Sequence, residues 1–399
     1  MSTKRSMLIH IGAPKCGSSA LQYTLSQDPI LNSPERPEHR YMSVLSGEGG
    51  LELLSGAALT RYAETTPFGY TSFPDFDPKQ DPAPIAEAIM QAHRLGQEEN
   101  FIPILSSEGW INAPGIFADI LADMSYPRVD VVVFLRAPAE WLNSAYWQWG
   151  VWLEGSVADW LRQGGIRYDF GHQLKLWSRL PHVRLHVRMT HGDVLGQFTD
   201  ATGVRLKKTG QRNTASPRSL IGVLRRNRVF RVDGHDSKTE FVFQRWCRVD
   251  LGPSLWAFDA EHMSELATQH MSELALLEPF VSASDIQALA HSPPHVPTTE
   301  DDFRVASELY TLHSALLQGV SRACAAAKRP APDLPALPPQ KERIIAIEDI
   351  SAWDECICRA LEALLAADAA ARIMPNRIAA QIKARTRRLF NRMQKWTNG

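Results

Sequence analysis

The sequence predicts a three-layer α/β protein, in which helices cover both faces of a central parallel sheet and further helices are added toward the C-terminus. Short apolar runs alternate with stretches of helical periodicity through the first half of the chain. This alternation is typical of βαβ units, in which a helix connects two parallel strands. After residue 215 the apolar runs fade, and the remaining sequence is predicted to be helical and irregular.

Four strands are predicted, and three of them, at residues 7–12, 101–105 and 129–135, are apolar runs that lack the alternation of a half-exposed strand and are therefore expected to be buried. The fourth lies at residues 183–187, and the run at 129–135 is the richest in β-branched residues. Helices are predicted at residues 18–27, 85–95, 139–149 and 169–180. A shorter helix is expected between Gly192 and Gly203, with Gly203 as its C-terminal cap.

Composition places the chain among ordinary globular proteins. It has 399 residues, of which 44% are hydrophobic and 22% are charged. The five cysteines are scattered without the spacing of a zinc site, which favours reduced thiols. The N-terminal apolar patch is too short for a signal peptide or a membrane span, so a cytoplasmic protein is expected.

Three segments are predicted along the chain. Residues 1–230 form the core domain, 231–340 a helical and irregular extension, and 341–399 C-terminal helices with a basic tail. Residues 330–340 contain five prolines and are predicted to be a stiff linker.

The turn after the first strand has the pattern of a phosphate-binding loop. Gly12 and Gly17 have four residues between them, and Ser18 and Ser19 follow, which is Walker-type spacing. Such a turn presents free backbone N–H groups and the positive end of a helix dipole to an anion. The lysine is Lys15, inside the turn, where it can contact the bridging oxygen of one phosphate and its substituent. The alternative is a structural turn without a ligand.

A second group of residues follows the third strand. Arg136 stands at the carboxyl end of that strand, where open α/β sheets bind ligands, and Ser144 comes eight residues later in the next helix. The planar guanidinium suits a phosphate dianion. An arginine at a strand end is also a common surface ion-pair residue, but the phosphate loop upstream favours the phosphate interpretation. Two separate phosphate sites suit a nucleotide phosphorylated at its 5′ and 3′ positions.

These two motifs resemble those of sulfotransferases that use 3′-phosphoadenylyl sulfate (PAPS). Residues 14–19, PKCGSS, are similar to the 5′-phosphosulfate loop of that family, and Arg136 with Ser144 resembles its 3′-phosphate motif. The resemblance covers about residues 6–230 and implies a P-loop-type fold, PAPS as the donor cosubstrate, and no required metal. The layout of several later residues also resembles bacterial members thought to act on carbohydrates: Tyr168, Trp177, Val187, Arg188, Phe198, Gly203 and Asn213.

The resemblance implies a role for each matching residue. Lys15 would contact the bridging oxygen of the donor, and Arg136 and Ser144 would bind its 3′-phosphate. The 5′-phosphate would be cradled by the amides of Cys16, Gly17, Ser18 and Ser19. A third family element, a basic glycine-containing loop, has only an imperfect match at residues 207–212. From it, Lys208 and Arg212 are candidate ligands of the 3′-phosphate.

Glu108 is the candidate general base. It comes just after the second predicted strand, on the ligand side of the sheet, and resembles a glutamate that serves as base in some glycan sulfotransferases. Such a base would take the proton of the attacking acceptor hydroxyl. The alternative is a local cap or ion pair. His10 lies inside the first strand and is predicted to be a packed core histidine.

Aromatic residues near the predicted cleft suggest a carbohydrate or glycolipid acceptor, because aromatic faces stack on sugar rings. Core packing is the alternative, since Trp141, Ala145 and Trp149 share one helix face. The other aromatic residues of this group are Trp110, Tyr146 and Trp147.

The tail carries the strongest charge imbalance of the sequence. Residues 371–399 contain eight lysines and arginines and no acidic residue, and residues 373–396 place apolar residues at helical spacing. This pattern indicates a basic amphipathic helix at the inner face of a membrane, or a solvated terminal helix. A nucleic-acid partner is not expected, because no nucleic-acid fold accompanies the charge.

Two other functions fit part of this pattern. A P-loop-type small-molecule kinase shares the loop spacing, but position 18 is a serine where a Walker loop has its lysine. A non-catalytic nucleotide-binding, membrane-associated protein would keep the loop without turnover.

Overall fold

A computed structural model describes residues 6–372, except 34–35, 48–49, 164–165, 191, 208–215, 250–251, 253, 292–294 and 341. The fold is mixed α/β, with a central, mostly parallel sheet flanked by helices, as the sequence predicts. The strands found in this part of the chain are β1 (Met7–His10), β2 (Ile30–Ser33), β3 (Arg36–Gly47), β4 (Gly50–Ser55), β5 (Ile102–Ser106), β6 (Val129–Leu135) and β7 (Val183–Met189).

The sheet order is β2-β3-β5-β1-β6-β7, and β4 pairs with β3 outside this path. The five strands β3, β5, β1, β6 and β7 run parallel to one another. β2 and β4 run antiparallel to β3. Every residue of β1, β5 and β6 is buried. These three central strands are therefore covered on both faces, as expected for parallel strands without polar alternation.

Helices connect the strands and continue after them. They are α1 (Ser18–Gln27), α2 (Gly56–Thr65), α3 (Ala83–Glu98), α4 (Pro114–Asp123), α5 (Pro138–Gln148), α6 (Val157–Gln163), α7 (Phe170–Trp177), α8 (Val194–Thr202), α9 (Arg218–Arg226), α10 (Lys238–Trp246), α11 (Ala260–Leu277), α12 (Ala283–Ala290), α13 (Ala306–Ala326) and α14 (Ile350–Arg372). The predicted cap at Gly203 is confirmed, because its φ of 72° is left-handed and it ends α8.

The β-hairpin of β3 and β4 is absent from the sequence prediction. It pairs Met42 with Ser55 and Gly47 with Gly50, and β3 also joins the parallel sheet through β5. A glycine-rich turn between two runs of alternating residues is a hairpin signal, and it is present here. The hairpin lengthens the sheet at the edge away from β7.

Two hydrophobic cores run across the predicted segments. The first includes the sheet and its helices, and it also takes in buried residues of α11 and α12 such as Leu274 and Leu289. The second is formed by α9, α10, α13 and α14, together with Val151 and Trp152. Residue 230 therefore does not mark the boundary between the cores. The predicted division at 1–230, 231–340 and 341–399 stays a prediction about domains.

The proline-rich stretch at 330–340 packs on the second core. Leu334 and Leu337 contact that core, and the Pro338 carbonyl accepts a hydrogen bond of 2.7 Å from the Tyr310 hydroxyl. The stretch has no regular secondary structure, and its contacts with the second core lie at residues 334–338.

Candidate functional site

The site is built at the carboxyl edge of three neighbouring strands. β1 lies between β5 and β6. The strands β2 to β5, which follow β1 in the sequence, lie on one side of it, and β6 and β7 lie on the other. The strand order therefore reverses at β1, and in open α/β sheets ligands bind at such a point. The residues that follow these strands are the turn 11–17 after β1, Glu108 after β5, and Arg136 after β6.

The turn after β1 opens α1 in the way an anion site requires. Gly17 precedes the helix with a left-handed φ of 90°, and no side chain caps the helix N-terminus. Lys15 also has a left-handed φ, 63°, which is uncommon for a residue with a side chain. A tight turn of this kind directs the N–H groups of the first helical turn toward a ligand.

The turn also lies against the start of its own helix. A Cβ added to Gly12 would lie 2.5 Å from Ser18 Oγ and 2.9 Å from His10 Cε1, so a larger residue would force these side chains to shift. Ser18 is buried, and its hydroxyl has no hydrogen-bond partner among the residues the structure describes. A buried hydroxyl without a partner costs free energy. A phosphate oxygen in the turn would supply that partner.

Lys15 lies among charged groups. Its Nζ donates a hydrogen bond of 3.2 Å to Gln148 Oε1 on the last residue of α5. Burial lowers the pKa of Lys15, and the positive charges of Arg136 and Arg231 lower it further, whereas the Glu108 carboxylate acts in the opposite direction. Two cations and one carboxylate therefore surround the loop lysine, an arrangement suited to a polyanionic ligand.

Glu108 contacts the phosphate loop through Ser19. Ser19 Oγ donates a hydrogen bond of 3.4 Å to Glu108 Oε1, and the Tyr70 hydroxyl donates one of 3.2 Å to Ser19 Oγ. Burial raises the pKa of Glu108, Lys15 lowers it, and Asp75 raises it. A carboxylate with a raised pKa is a better proton acceptor near neutral pH.

Asp75 holds the turn that carries Glu108. Its Oδ1 accepts a hydrogen bond of 2.7 Å from the Gly109 N–H and another from the Ser107 hydroxyl. A Cβ on Gly109 would lie 2.5 Å from the Asp75 carboxyl carbon. The Glu108 backbone is therefore fixed on both sides by one carboxylate.

Arg136 is held through its backbone, while its side chain remains available. The Tyr168 hydroxyl donates a hydrogen bond of 3.0 Å to the Arg136 carbonyl, and the Arg136 N–H bonds to the Cys16 thiol. Among the described residues, the guanidinium has no hydrogen-bond or ion-pair partner. Ser144 is half-buried on the helix that follows. The guanidinium therefore lies beside the turn after β1 with its hydrogen-bond donors unused, and such a group can bind an anion.

Four of the five aromatic residues named from the sequence pack in the two cores, where Tyr146 and Trp147 contact the second. Trp110 and Trp141 are buried in the first core, as the core alternative predicts. Three half-buried rings instead lie near the loop: Phe68 packs edge-on against Phe241 with centroids 4.9 Å apart, and Tyr70 is the third. These three rings, with Ser19, line a narrow cleft.

His10 is a core histidine, as predicted. Its Nδ1 lies 2.8 Å from Ser106 Oγ, and burial lowers its pKa to about 3, so it remains neutral. Lys208, Arg212 and the tail 373–396 lie outside the described residues.

Sequence reasoning missed four residues of this site: Tyr70, Asp75, Gln148 and Arg231. Gln148 is 133 residues from the lysine that it contacts. Neither periodicity nor a motif marks these positions, and only the packing of the chain brings them to the loop.

Within the described part of the chain, no group of three or more His, Cys, Asp or Glu side chains could hold a metal ion. No helix in that part has the length and apolar character needed to cross a membrane.

Comparisons with known proteins do not identify a family for this chain. No family model and no curated protein matches the sequence. Among solved structures, a sulfotransferase from Alicyclobacillus acidocaldarius aligns with 72% of this chain and 100% of its own, with 13% sequence identity and a TM-score of 0.30. A TM-score this low does not establish a common fold, and the function is therefore inferred from the site.

Proposed function

We propose that this chain is a sulfotransferase that moves a sulfonate group from PAPS to an acceptor hydroxyl or amine. The observation that carries the proposal is the meeting of Lys15, Glu108 and Arg136 at one edge of the sheet, around an uncapped helix N-terminus. Sulfonate transfer requires hydrogen-bond donors that bind the phosphates, a cation at the leaving oxygen and a general base. The helix N-terminus and Arg136 supply the first, Lys15 the second and Glu108 the third.

The residues present fit the donor. The N-terminus of α1 and the Ser18 hydroxyl offer donors to a 5′-phosphate, and the unpaired Arg136 guanidinium offers a planar fork to a 3′-phosphate. The absence of lysine at position 18 distinguishes the loop from one built for β- and γ-phosphates with Mg²⁺.

The transfer forms one S–O bond and breaks another. The acceptor oxygen attacks the sulfur in line, its proton passes to the Glu108 carboxylate, and the bond from sulfur to the 5′-phosphate oxygen breaks. Negative charge then grows on that phosphate, where the Lys15 ammonium and the helix N-terminus stabilise it. An amine acceptor follows the same steps with nitrogen as the attacking atom.

We further propose a carbohydrate or glycolipid acceptor and a cytoplasmic protein that contacts the inner face of the membrane through residues 373–396. The rings of Phe68, Tyr70 and Phe241 beside Ser19 support an acceptor with apolar faces, which would lie against their outer surfaces because the gap between the rings holds no more than a water molecule. The basic amphipathic pattern of the tail supports the membrane contact.

Calorimetry with 3′,5′-adenosine bisphosphate and with ATP tests the donor. We expect the bisphosphate to bind without Mg²⁺ and ATP to bind at least tenfold more weakly. Lys15→Ala should abolish the use of PAPS, whereas Lys175→Ala on the exposed surface of α7 should not affect it. Preference for Mg²⁺-ATP with phosphate transfer would instead indicate a kinase.

A further inference from the structure

Arg231 is a fully buried cation in a loop of the second core. Its side chain has no exposed surface, and its guanidinium forms an ion pair with Glu240 of α10. The guanidinium also lies 4.6 Å from the centre of the Trp152 ring. A buried arginine is costly unless its donors are satisfied, and yet its Nε has no partner among the described residues. Such a group requires an explanation beyond packing.

The other hydrogen bonds of Arg231 connect it, through Gln148, to Lys15 in the turn after β1. An Nη of Arg231 donates a hydrogen bond of 2.8 Å to the Gln148 carbonyl and one of 3.1 Å to the Gly234 carbonyl. The Gln148 side-chain NH2 group also donates a hydrogen bond of 3.1 Å to the Gly234 carbonyl, and its Oε1 accepts the hydrogen bond from Lys15 Nζ. Arg231 thus fixes both the backbone and, through Gly234, the side-chain amide of the residue that holds Lys15.

We propose that Arg231 and Gln148 are positioning residues for Lys15, so that the second core supplies a working part of the phosphate loop. A catalytic role for these two residues rests on the proposed function, whereas the contacts of Gln148 with Lys15 and with Arg231 do not depend on it. Without the loop around Arg231, α5 would end at an unsupported Gln148, and the lysine side chain would lose its only described hydrogen-bond acceptor.

Arg231 also acts on Lys15 through charge. The charged groups that face Lys15 are Glu108, which raises its pKa, and Arg136 and Arg231, which lower it; the Cys16 thiol raises it slightly. Burial is the largest cause and also lowers the pKa. Removal of the Arg231 charge should therefore raise the pKa of Lys15 and delay its loss of a proton to higher pH.

Labelling of Lys15 with trinitrobenzenesulfonate, followed by peptide mass spectrometry across pH, measures this directly, because only the neutral amine reacts. For Arg231→Met we expect the labelling midpoint to move to higher pH, because a positive charge that lowers the pKa of Lys15 is removed. Arg162→Met on α6 is the control, since it also removes one positive charge, but from an exposed arginine that does not act on Lys15. An unchanged midpoint in a folded Arg231→Met protein would overturn the proposal.

Gln148→Ala decides the question if Arg231→Met does not fold. This variant leaves the buried ion pair intact and removes the acceptor of the Lys15 hydrogen bond, together with the side-chain bond to the Gly234 carbonyl. We expect the labelling rate of Lys15 at fixed pH to rise several-fold, and an unchanged rate would contradict the inference.

Where PAPS is turned over, both variants should lower kcat by tenfold or more with little change in the affinity for the bisphosphate. Arg231→Lys, which keeps the charge but not the fork, should leave the labelling midpoint unchanged.

The two proposals fail separately. Labelling of Lys15 requires no nucleotide, so a shifted midpoint in a protein that neither binds the bisphosphate nor uses PAPS would reject the proposed function alone. Donor binding and turnover with an unmoved midpoint and an unchanged labelling rate would reject the positioning role alone.

Discussion

Trp141 Nε1 donates a hydrogen bond of 2.7 Å to the Pro14 carbonyl, and this bond ties the helix after β6 to the turn after β1. Lys15 follows Pro14 directly, and Arg136 precedes the same helix, with its N–H bonded to Cys16. The two proposed phosphate sites are therefore fixed relative to each other before any ligand binds. Preorganisation of this kind lowers the cost of binding a rigid bisphosphate.

The guanidinium of Arg136 is expected to bind a 3′-phosphate. Arg136→Ala should weaken the affinity for 3′,5′-adenosine bisphosphate by roughly tenfold or more, since a charge-assisted hydrogen bond contributes about 1.5–3 kcal/mol. The affinity for 5′-AMP, which lacks the 3′-phosphate, should change little. Calorimetry measures both values, with Arg188→Ala on the neighbouring strand as control. Equal affinity of the variant and the native protein for the bisphosphate would remove the assignment.

Glu108 is expected to act as the base and not as a donor ligand. Glu108→Gln should reduce turnover of PAPS by about 10²–10⁴, the usual contribution of a general base. The dissociation constant of the bisphosphate should stay within a few-fold of the native value. Glu98→Gln at the exposed end of α3 serves as control. A variant that binds the donor and retains full turnover would show that another group accepts the proton.

Asp75 is expected to set the pH at which Glu108 becomes active. The base works as the carboxylate, so kcat/KM should rise with pH through the pKa of Glu108, which burial and the Asp75 charge both raise. Asp75→Asn keeps an oxygen for the Gly109 N–H but removes the charge. The acid limb of the pH profile should therefore move to lower pH. Asp77→Asn, two residues away and exposed, should leave the profile in place, and an unmoved limb in Asp75→Asn would exclude the charge effect.

Gly12 is expected to be required for the fold of the loop. Gly12→Ala would place a methyl group 2.5 Å from Ser18 Oγ in a buried turn, and overpacking of this kind costs about 1–3 kcal/mol. Urea unfolding should show that loss. Gly115→Ala in α4 is the matched control, because nothing lies within 4 Å of its added Cβ. Similar unfolding midpoints for the two variants would mean that the loop relaxes freely.

The basic tail is expected to bind anionic membranes. Arg372 ends α14 and bonds to Asp368 at 2.7 Å and to the Thr65 carbonyl at 2.8 Å, so truncation after Arg372 preserves these contacts. The truncated protein should no longer co-sediment with vesicles that contain phosphatidylserine, whereas the full chain should sediment with them at low salt. Vesicles of phosphatidylcholine alone are the control. Failure of the intact protein to bind anionic vesicles would dispose of the membrane proposal.

Local patterns in the sequence predicted most of the core elements. The run at 129–135 is a buried strand because all its residues except Asp130 are apolar, and the helix at Ser18–Gln27 begins where the glycine turn ends. The β3–β4 hairpin was missed, although its glycine-rich turn carries a recognisable signal. These features depend on neighbours within a few residues, which is the range over which periodicity and turn chemistry act.

The sequence by itself therefore determined which chemical groups follow the strands: a lysine inside a phosphate turn, a glutamate after β5 and an arginine after β6. The tertiary structure decided which groups surround them. Gln148 and Arg231 are 83 residues apart, and Arg231 reaches the residue that holds Lys15 only because the second core packs against the end of α5. Contacts over such separations depend on how the whole chain packs, and no local pattern records them.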